Sequence, residues 1–414
     1  MMDKVRIAVI GLGARGSQIL KDILLKMADV QITAVCDSYE DRVDDAAKAI
    51  VEAGQDEPFK TTDYREVIAC GKVDAISIYT AWDMHAEIAI ASMRAGIPVA
   101  SEVGSEYSLN NCWQLVRTHE ETGTPYMFME NCCFGKDELL ATAMMRHGLF
   151  GEVVHCSGVY GHDLRKEVAE GIQQRHYRFR NYRARNCENY PTHELGPMAM
   201  LLNINRGNRM VSLTSVASKA AGLKAYIEET KDKVEYSDEV LNATFKQGDI
   251  VQTLVTCENG ETMLLTLDTT LPRYYTRGFT VRGTKGFYQQ ETNSVFIDGV
   301  HPEECELDTY RNYEKFLNNA TEYEKDYLPS IWKDISPEVK EMGHGGMDYF
   351  THRAFIEAVK NGTPMPLDVY DAAAWMAVSV LSEQSIREGG SVQQIPDFTN
   401  RKWMFRPAKD VVEL

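Results

Sequence analysis

Two groups of residues in this chain have types and spacings suited to chemistry. The first is Gly11-Leu12-Gly13-Ala14-Arg15-Gly16, set between the apolar run VRIAVI and a helix-forming stretch. Glycines at these spacings permit a tight turn, close backbone approach to a pyrophosphate, and close helix–strand packing, with the helix N-terminus facing the phosphates. Asp37 closes the next apolar run, VQITAVCD, 21 residues past Gly16. A carboxylate near that spacing accepts hydrogen bonds from the adenosine ribose hydroxyls and disfavours a 2′-phosphate. NAD is therefore favoured over NADP, with Arg42 nearby as the opposing feature. Gly11, Gly13, Ala14, Arg15, Gly16 and Asp37 are candidate cofactor contacts. Farther on, YTAWDMHAE and ASEVGSEYS fall at the carboxyl ends of later strands, where Trp82, His85 and Glu102 are candidate liners of the nicotinamide side. His85 reads equally well as a surface histidine at a helix start.

The second group lies mid-chain. In GVYGHD, Tyr160 and His162 share one face of a strand by its two-residue period, with Gly161 opposite. In NYPTHELGPMAM, His193 follows a Pro-Thr step and precedes a helix expected over 195–204, with Pro197 in its first turn. A helix N-terminus favours an uncharged imidazole, the form able to accept a proton. Between these motifs, RHYRFRNYRARN interleaves Arg175, Arg178, Arg180, Arg183 and Arg185 with Tyr177, Phe179 and Tyr182. Its simplest reading is a solvated loop with a few ion pairs. His344, Asp348 and His352 are spaced like helical metal ligands, but Gly345 and Gly346 interrupt a continuous helix. No metal is expected; His344 and Asp348 shape a pocket floor or close a turn.

Elements must position these groups. Over the first third, apolar strands alternate with helices (17–26, 39–53, 85–95 and 109–121), which means a parallel sheet covered on both faces. After about Asn131 a helix over 138–146 leads into VVHCSGVYGHD. Strand signals then dominate in VLNATFKQ, IVQTLVTCENGETMLLTLDTT and RGFTVRGTKGFYQQETNSVFIDG, with hairpin turns at ENGE and RGTKG. The expectation is an α/β chain: an N-terminal doubly wound parallel sheet over residues 1–130, then an α+β domain over 131–414 with a large, mainly antiparallel sheet. Residues 300–342 read as a surface insertion.

The bulk numbers agree with a two-domain globular protein: 414 residues, 44% hydrophobic and 25% charged. A formal charge of −17 argues against nucleic acid and anionic membranes as partners. No apolar run approaches the roughly 18 residues of a membrane span, and no export signal is evident at the start. Nine scattered cysteines suit a reduced compartment, so a cytoplasmic location is expected.

A parallel-sheet half followed by an antiparallel-sheet half resembles the Gfo/Idh/MocA oxidoreductase family over essentially the whole chain. That family usually carries Glu-Lys-Pro after its later strand, with the lysine moving the substrate hydroxyl proton. Here the matching stretch is Glu102-Val103-Gly104, which argues against ordinary dehydrogenase turnover through that residue. GVYGHDLR, NYPTHELGPMAMLLNINRGNRM and HGGMDY…PLDVYDAAAW…IPDFTNRKW are similar to the NAD-dependent glycosidases of glycoside hydrolase family 109, known for α-N-acetylgalactosaminidase activity. The position of Glu194 is usually glycine in that group. The resemblance implies hydrolysis of a small glycoside by transient oxidation at C3, C2 deprotonation, elimination and water addition, with NAD regenerated. It casts Tyr160 as the C2 base, whose phenol needs a neighbouring cation to lower its pKa. It casts His193 as the partner of the C3 hydroxyl and His162 as the residue orienting Tyr160. Tyr182, Arg185 and Tyr190, beside the histidine motif, become candidate substrate contacts, as do His344 and Asp348. Net sugar oxidation and a silent NAD- and sugar-binding regulator are the alternatives. A small carbohydrate is the expected partner, and a homo-oligomer, dimer or tetramer, is implied.

Overall fold

The computed structural model describes residues 4–301 and 312–414. The chain divides into two compact units, residues 1–134 with 335–377, and residues 135–334 with 378–414. The expected boundary stood at 130/131; the chain returns to the first unit late, which no sequence pattern had announced.

The first unit is built on six strands: β1 (Val5–Ile10), β2 (Val30–Cys36), β3 (Phe59–Thr61), β4 (Ala75–Ile78), β5 (Val99–Ser101) and β6 (Tyr126–Phe128). They lie in the order β3-β2-β1-β4-β5-β6, and every pairing is parallel. This is the doubly wound Rossmann arrangement, whose strand order reverses between β1 and β4 and leaves a crevice at the carboxyl ends there. Helices α1 (Ala14–Asp22), α2 (Glu40–Glu52), α3 (Tyr64–Ala69), α4 (Trp82–Arg94) and α5 (Leu109–Thr122) connect the strands. Near-continuous burial of β1 and β4 follows from cover on both faces. The returning segment carries the helix Met347–Asn361 and the first half of the helix Val369–Arg387. It is fastened by Asp29, which accepts from Arg353 at 2.7 and 2.9 Å and from Lys360 at 2.7 Å. Inside, Trp375 packs edge-on against Phe128.

The second unit holds an eight-stranded sheet: β7 (Val153–Gly161), β8 (Met210–Ala217), β9 (Ile250–Cys257), β10 (Thr262–Asp268), β11 (Thr280–Gly283), β12 (Gly286–Gln289), β13 (Ser294–Ile297) and β14 (Gln393–Gln394). The order is β13-β12-β11-β7-β10-β9-β8-β14, with antiparallel neighbours except for the parallel pair β7/β10. Strict in–out alternation in β9 shows that one face is packed and the other is not. The packed face carries α9 (Thr192–Leu201), with α6 (Lys136–Arg146) against α9 and with α7 (Arg165–Ala169) and α8 (Arg178–Ala184) in the connection after β7.

Three local expectations need correction. VLNATFKQ is not a strand: it begins inside a short helix, Asp238–Leu241, whose first turn holds Asp238 and Glu239 where acidic groups suit the helix dipole. The basic run is not a solvated loop: Arg178, Phe179, Asn181 and Tyr182 on α8 are buried. Helix α9 begins at Thr192 rather than Leu195, so His193 lies in its first turn and Pro197 in its second. The i, i+4 position of Pro197 relative to His193 means that it has no N–H to offer the His193 carbonyl. Of the expected surface insertion, residues 302–311 lie outside the described residues, and 312–342 form a run of short helical turns.

Candidate functional site

The cofactor cradle is formed within the first unit. Gly11 has φ +94°, and a Cβ there would stand 2.5 Å from the Thr80 nitrogen on the neighbouring strand's exit. A Cβ on Gly16 would meet the Gly11 carbonyl oxygen at 1.9 Å, so α1 can approach β1 only with glycine at this point. Gly13, the N-cap of α1, carries no side-chain cap, and a Cβ there would meet only Arg42 Nη1, at 3.6 Å. The helix start with Ala14 at its first position therefore presents backbone N–H groups in the manner a pyrophosphate requires, and the residues fit a dinucleotide.

Asp37 binds this loop directly. Its Oδ2 accepts from the Leu12 N–H at 2.6 Å and its Oδ1 from the Tyr39 N–H at 3.0 Å. Arg42 Nη1 stands 3.6 Å from Asp37 Oδ2, and its guanidinium lies 4.8 Å over the Tyr39 ring. Arg42, the feature that opposed NAD in sequence, is thus engaged by the carboxylate that favours it.

Arg15 is held on both sides. Its Nε donates to Glu102 Oε2 at 2.7 Å, and its two Nη atoms donate to the Asp348 carboxylate at 2.7 and 2.8 Å. Asp348 is fully buried and also accepts from Asn131 Nδ2 at 2.7 Å and pairs with His344 Nδ1 at 2.8 Å. Despite burial, the Arg15 hydrogen bonds and charge hold its carboxyl well below the usual range. Glu102 Oε1 accepts the Val103 N–H at 2.9 Å. Trp82 is buried against Gly104, where a Cβ would come within 2.5 Å of the indole. His85 is buried rather than at the surface, with Nε2 at 2.9 Å from the Thr80 carbonyl, and burial lowers its pKa. His352, bonded to the Tyr79 hydroxyl at 2.7 Å, is lowered for the same reason.

The second unit brings Tyr160, His162, Tyr190 and His193 together. Tyr160 Oη lies 3.1 Å from His162 Nδ1. Its ring centroid stands 4.8 Å from that of Tyr190 and 5.3 Å from that of His193, and Tyr190 and His193 meet edge-on at 4.9 Å. The strand period places Tyr160 and His162 on one face of β7, and α9 lies on β7 with His193 in its opening turn. Tyr275 meets His162 edge-on at 5.2 Å. Arg178 stacks 5.0 Å over Tyr190 and pairs with Glu167 at 2.8 Å.

The phenol has the cation that its expected role required, because Arg178 acts on Tyr160 both by charge and by hydrogen bond. Burial outweighs it, however, and the Tyr160 pKa is raised, not lowered. Tyr182 and Arg185 face inward. The Tyr182 hydroxyl bonds to Thr269 Oγ1 at 2.8 Å, and Arg185 pairs with Glu383 at 2.7 Å, both side chains being buried. Glu194, next to His193, turns into the sheet and is buried against Gly158. Sequence reasoning missed Arg178 and Tyr275. Arg178 was one of five arginines in a run, and Tyr275 sits in an exposed RYYTRG connection between β10 and β11, so neither spacing marked them out.

Comparisons with known proteins follow the same division. Residues 5–129 match the oxidoreductase family with the NAD-binding Rossmann fold, and residues 134–405 match the C-terminal domain of glycosyl hydrolase 109. A glycosyl hydrolase family 109 protein of Stenotrophomonas maltophilia is 38% identical over 97% of this chain and 91% of its own. An alpha-N-acetylgalactosaminidase of Tannerella forsythia is 35% identical over 97% of this chain and 88% of its own. Among solved structures, myo-inositol 2-dehydrogenase from Lactobacillus plantarum has the same fold, with a TM-score of 0.66 at 15% identity, covering 95% of this chain and 100% of that one. With both domain families matched in order and relatives matched almost end to end, this chain belongs to the glycosyl hydrolase 109 family and is an NAD-dependent enzyme.

Proposed function

We propose that the protein hydrolyses a small glycoside by the redox-assisted elimination route, with Tyr160, His162 and His193 handling the protons. The observation that carries this reading is the cluster itself, a tyrosine hydroxyl 3.1 Å from an imidazole nitrogen with a second histidine ring 5.3 Å away. Three carboxylates of the neighbouring segments are held by arginines, Asp163 by Arg165, Glu167 by Arg178 and Asp268 by Arg273, while Glu194, beside His193, is buried against Gly158. The two-carboxylate arrangement of ordinary glycosidases is not what this cluster presents.

When bound, NAD supplies a reversible hydride acceptor, which makes a sugar C3 hydroxyl transiently a ketone and the neighbouring C2 proton acidic. His193 accepts the C3 hydroxyl proton at the opening turn of α9. Since burial keeps the Tyr160 phenol protonated, the base at C2 is the Tyr160–His162 pair. The phenol oxygen takes the C2 proton while its own proton passes to His162 Nδ1. The C1 substituent then departs by elimination, taking the proton held on His162; when water adds at C1 its proton passes to His162, and the phenol, exchanged with solvent, returns a proton to C2. Arg178 supports the charge that builds on the phenol oxygen, and Tyr190 and Tyr275 offer ring faces to the C–H edges of a sugar. Tyr182 and Arg185, sealed inside, hold this surface from behind. His344 and Asp348 serve the cofactor side through Arg15.

The name of the Tannerella forsythia relative supports an α-linked N-acetylgalactosaminide as the first substrate to try. A cytoplasmic location is supported by Cys36, Cys112, Cys156, Cys187 and Cys257, buried free thiols that burial keeps protonated. Among the described residues, no helix is long and apolar enough to cross a membrane. Homo-oligomer formation is supported by Val216 and Leu254, about half exposed on the open face of the large sheet.

The test is incubation of the holoenzyme with nitrophenyl glycosides in deuterated water. Aglycone release with deuterium at C2 and no net NADH is expected. Stoichiometric NADH would favour the dehydrogenase alternative, and binding without turnover the regulator. Tyr160→Phe should suppress C2 exchange while NAD stays bound; unchanged exchange would remove Tyr160 from the mechanism.

A further inference from the structure

The first unit keeps an uneven set of buried charges at one end of its sheet. One guanidinium, that of Arg15, is shared between two carboxylates, Glu102 at 2.7 Å and Asp348 at 2.7 and 2.8 Å. Arg15 gives one N–H from each of its three nitrogens, three of its five donors, to these acids. Of the neighbouring imidazoles, burial disfavours the charged forms of His85 and His352, and the third, His344, is half exposed and meets Asp348 at 2.8 Å. Burying an uncompensated charge is costly unless a partner arrives to meet it.

The position of the set says what that partner is. Asp37 follows β2, on one side of the switch point, and marks the adenosine half of the crevice. Glu102 follows β5, on the other side, so the nicotinamide half belongs there. Oxidised nicotinamide carries a ring positive charge, and the reduced ring carries none. We propose that the surplus negative charge of the Glu102–Arg15–Asp348 set stabilises oxidised over reduced nicotinamide and so sets the potential of the bound cofactor. Asp348 lies 333 residues from Arg15 and outside the segment that matches the NAD-binding family, so this tuning comes from the returning segment. A bound couple biased toward its oxidised form returns its hydride readily, which suits a reaction cycle that ends with NAD regenerated.

The test uses the holoenzyme at about pH 8. The bound cofactor is equilibrated with a mediator couple of known potential and read by absorbance of the reduced ring. Glu102→Gln keeps the acceptor for Arg15 and removes one charge. It should favour the reduced form by about fivefold, the size expected of one unit charge about 4 Å away at the dielectric constant of water. For a two-electron couple that is a rise of about 20 mV. Asp348→Asn should move the potential in the same direction. If a variant loses the cofactor on purification, its relative affinities for NAD⁺ and NADH, from displacement of NADH fluorescence, report the same ratio. An unchanged ratio in Glu102→Gln, or a shift toward the oxidised form, overturns the proposal. Equal weakening of both forms overturns it too, leaving Glu102 as a contact only.

Discussion

Gly158 controls the spacing between β7 and α9, and its substitution by alanine offers a quantitative check on the geometry of the proton-handling cluster. Gly158 and Tyr160 lie on the same face of β7 by the two-residue period. A Cβ on Gly158 would stand 2.7 Å from the Glu194 Cβ and 3.5 Å from its Cα. Ordinary contact starts at 3.4 Å, and the opposing atom is at the root of a helical side chain, not its flexible end. In Gly158→Ala the helix must therefore back away from the strand. Overpacking of this kind costs about 1–3 kcal/mol. The retreat carries His193, the residue before Glu194, away from Tyr160, whose ring is now 5.3 Å from it. A displacement of about 1 Å at reacting groups lowers rates by about a hundredfold. Urea unfolding and deuterium incorporation at the sugar C2 measure the two effects. Adding Glu194→Gly removes the opposing Cβ. Although glycine in a helix costs about 1 kcal/mol by itself, the double-mutant cycle should show a coupling of at least about 1 kcal/mol and recovery of exchange. A silent Gly158→Ala, or a double variant no better than the sum of its parts, would refute the reasoning.

Two further outcomes follow from the buried groups. Gly16→Ala puts a Cβ 1.9 Å from the Gly11 carbonyl oxygen, so calorimetry should show NAD binding abolished or weakened by orders of magnitude. Glu188 is buried beside Ser382 and Thr253, and burial raises its pKa to about 8. A raised folded-state pKa means that the folded protein holds this proton more tightly than the unfolded chain. The stabilising effect is complete below the unfolded value of about 4.3 and fades as pH rises through the folded one. Unfolding midpoints of Glu188→Gln should thus fall less steeply than those of the parent between about pH 5 and 8; parallel slopes would contradict this.

Much of the architecture was legible because local periodicity carries it. Apolar runs such as VRIAVI and alternating runs such as VQTLVTC declare how many faces a strand buries, and that separates the parallel from the antiparallel sheet. ENGE and RGTKG carry the turn chemistry of hairpins, and both connect paired strands, β9/β10 and β11/β12. VLNATFKQ misled because a short β-rich run has the same composition in a strand as in the turn after a helix. Helix α9 starts three residues earlier than Pro197 suggests, and Glu194 in its first turn packs against Gly158.

For the site, local sequence pattern offers the candidates: the glycine fingerprint with Asp37, and the Tyr160, His162 and His193 motifs. It does so because glycine tolerance, strand period and helix starts are properties of a few neighbouring residues. What surrounds each group depends on residues far away along the chain. The tertiary structure places Asp348 against Arg15 across 333 residues of chain, Arg178 over Tyr190, and Tyr182 with its hydroxyl turned inward. It also decided the protonation of Tyr160, because a phenol's acidity is a contest between burial and charge, and both are set by atoms distant in sequence. Glu194 shows the same division: the sequence marks it as a departure beside the key histidine, while the fold turns it away from that histidine and into the sheet.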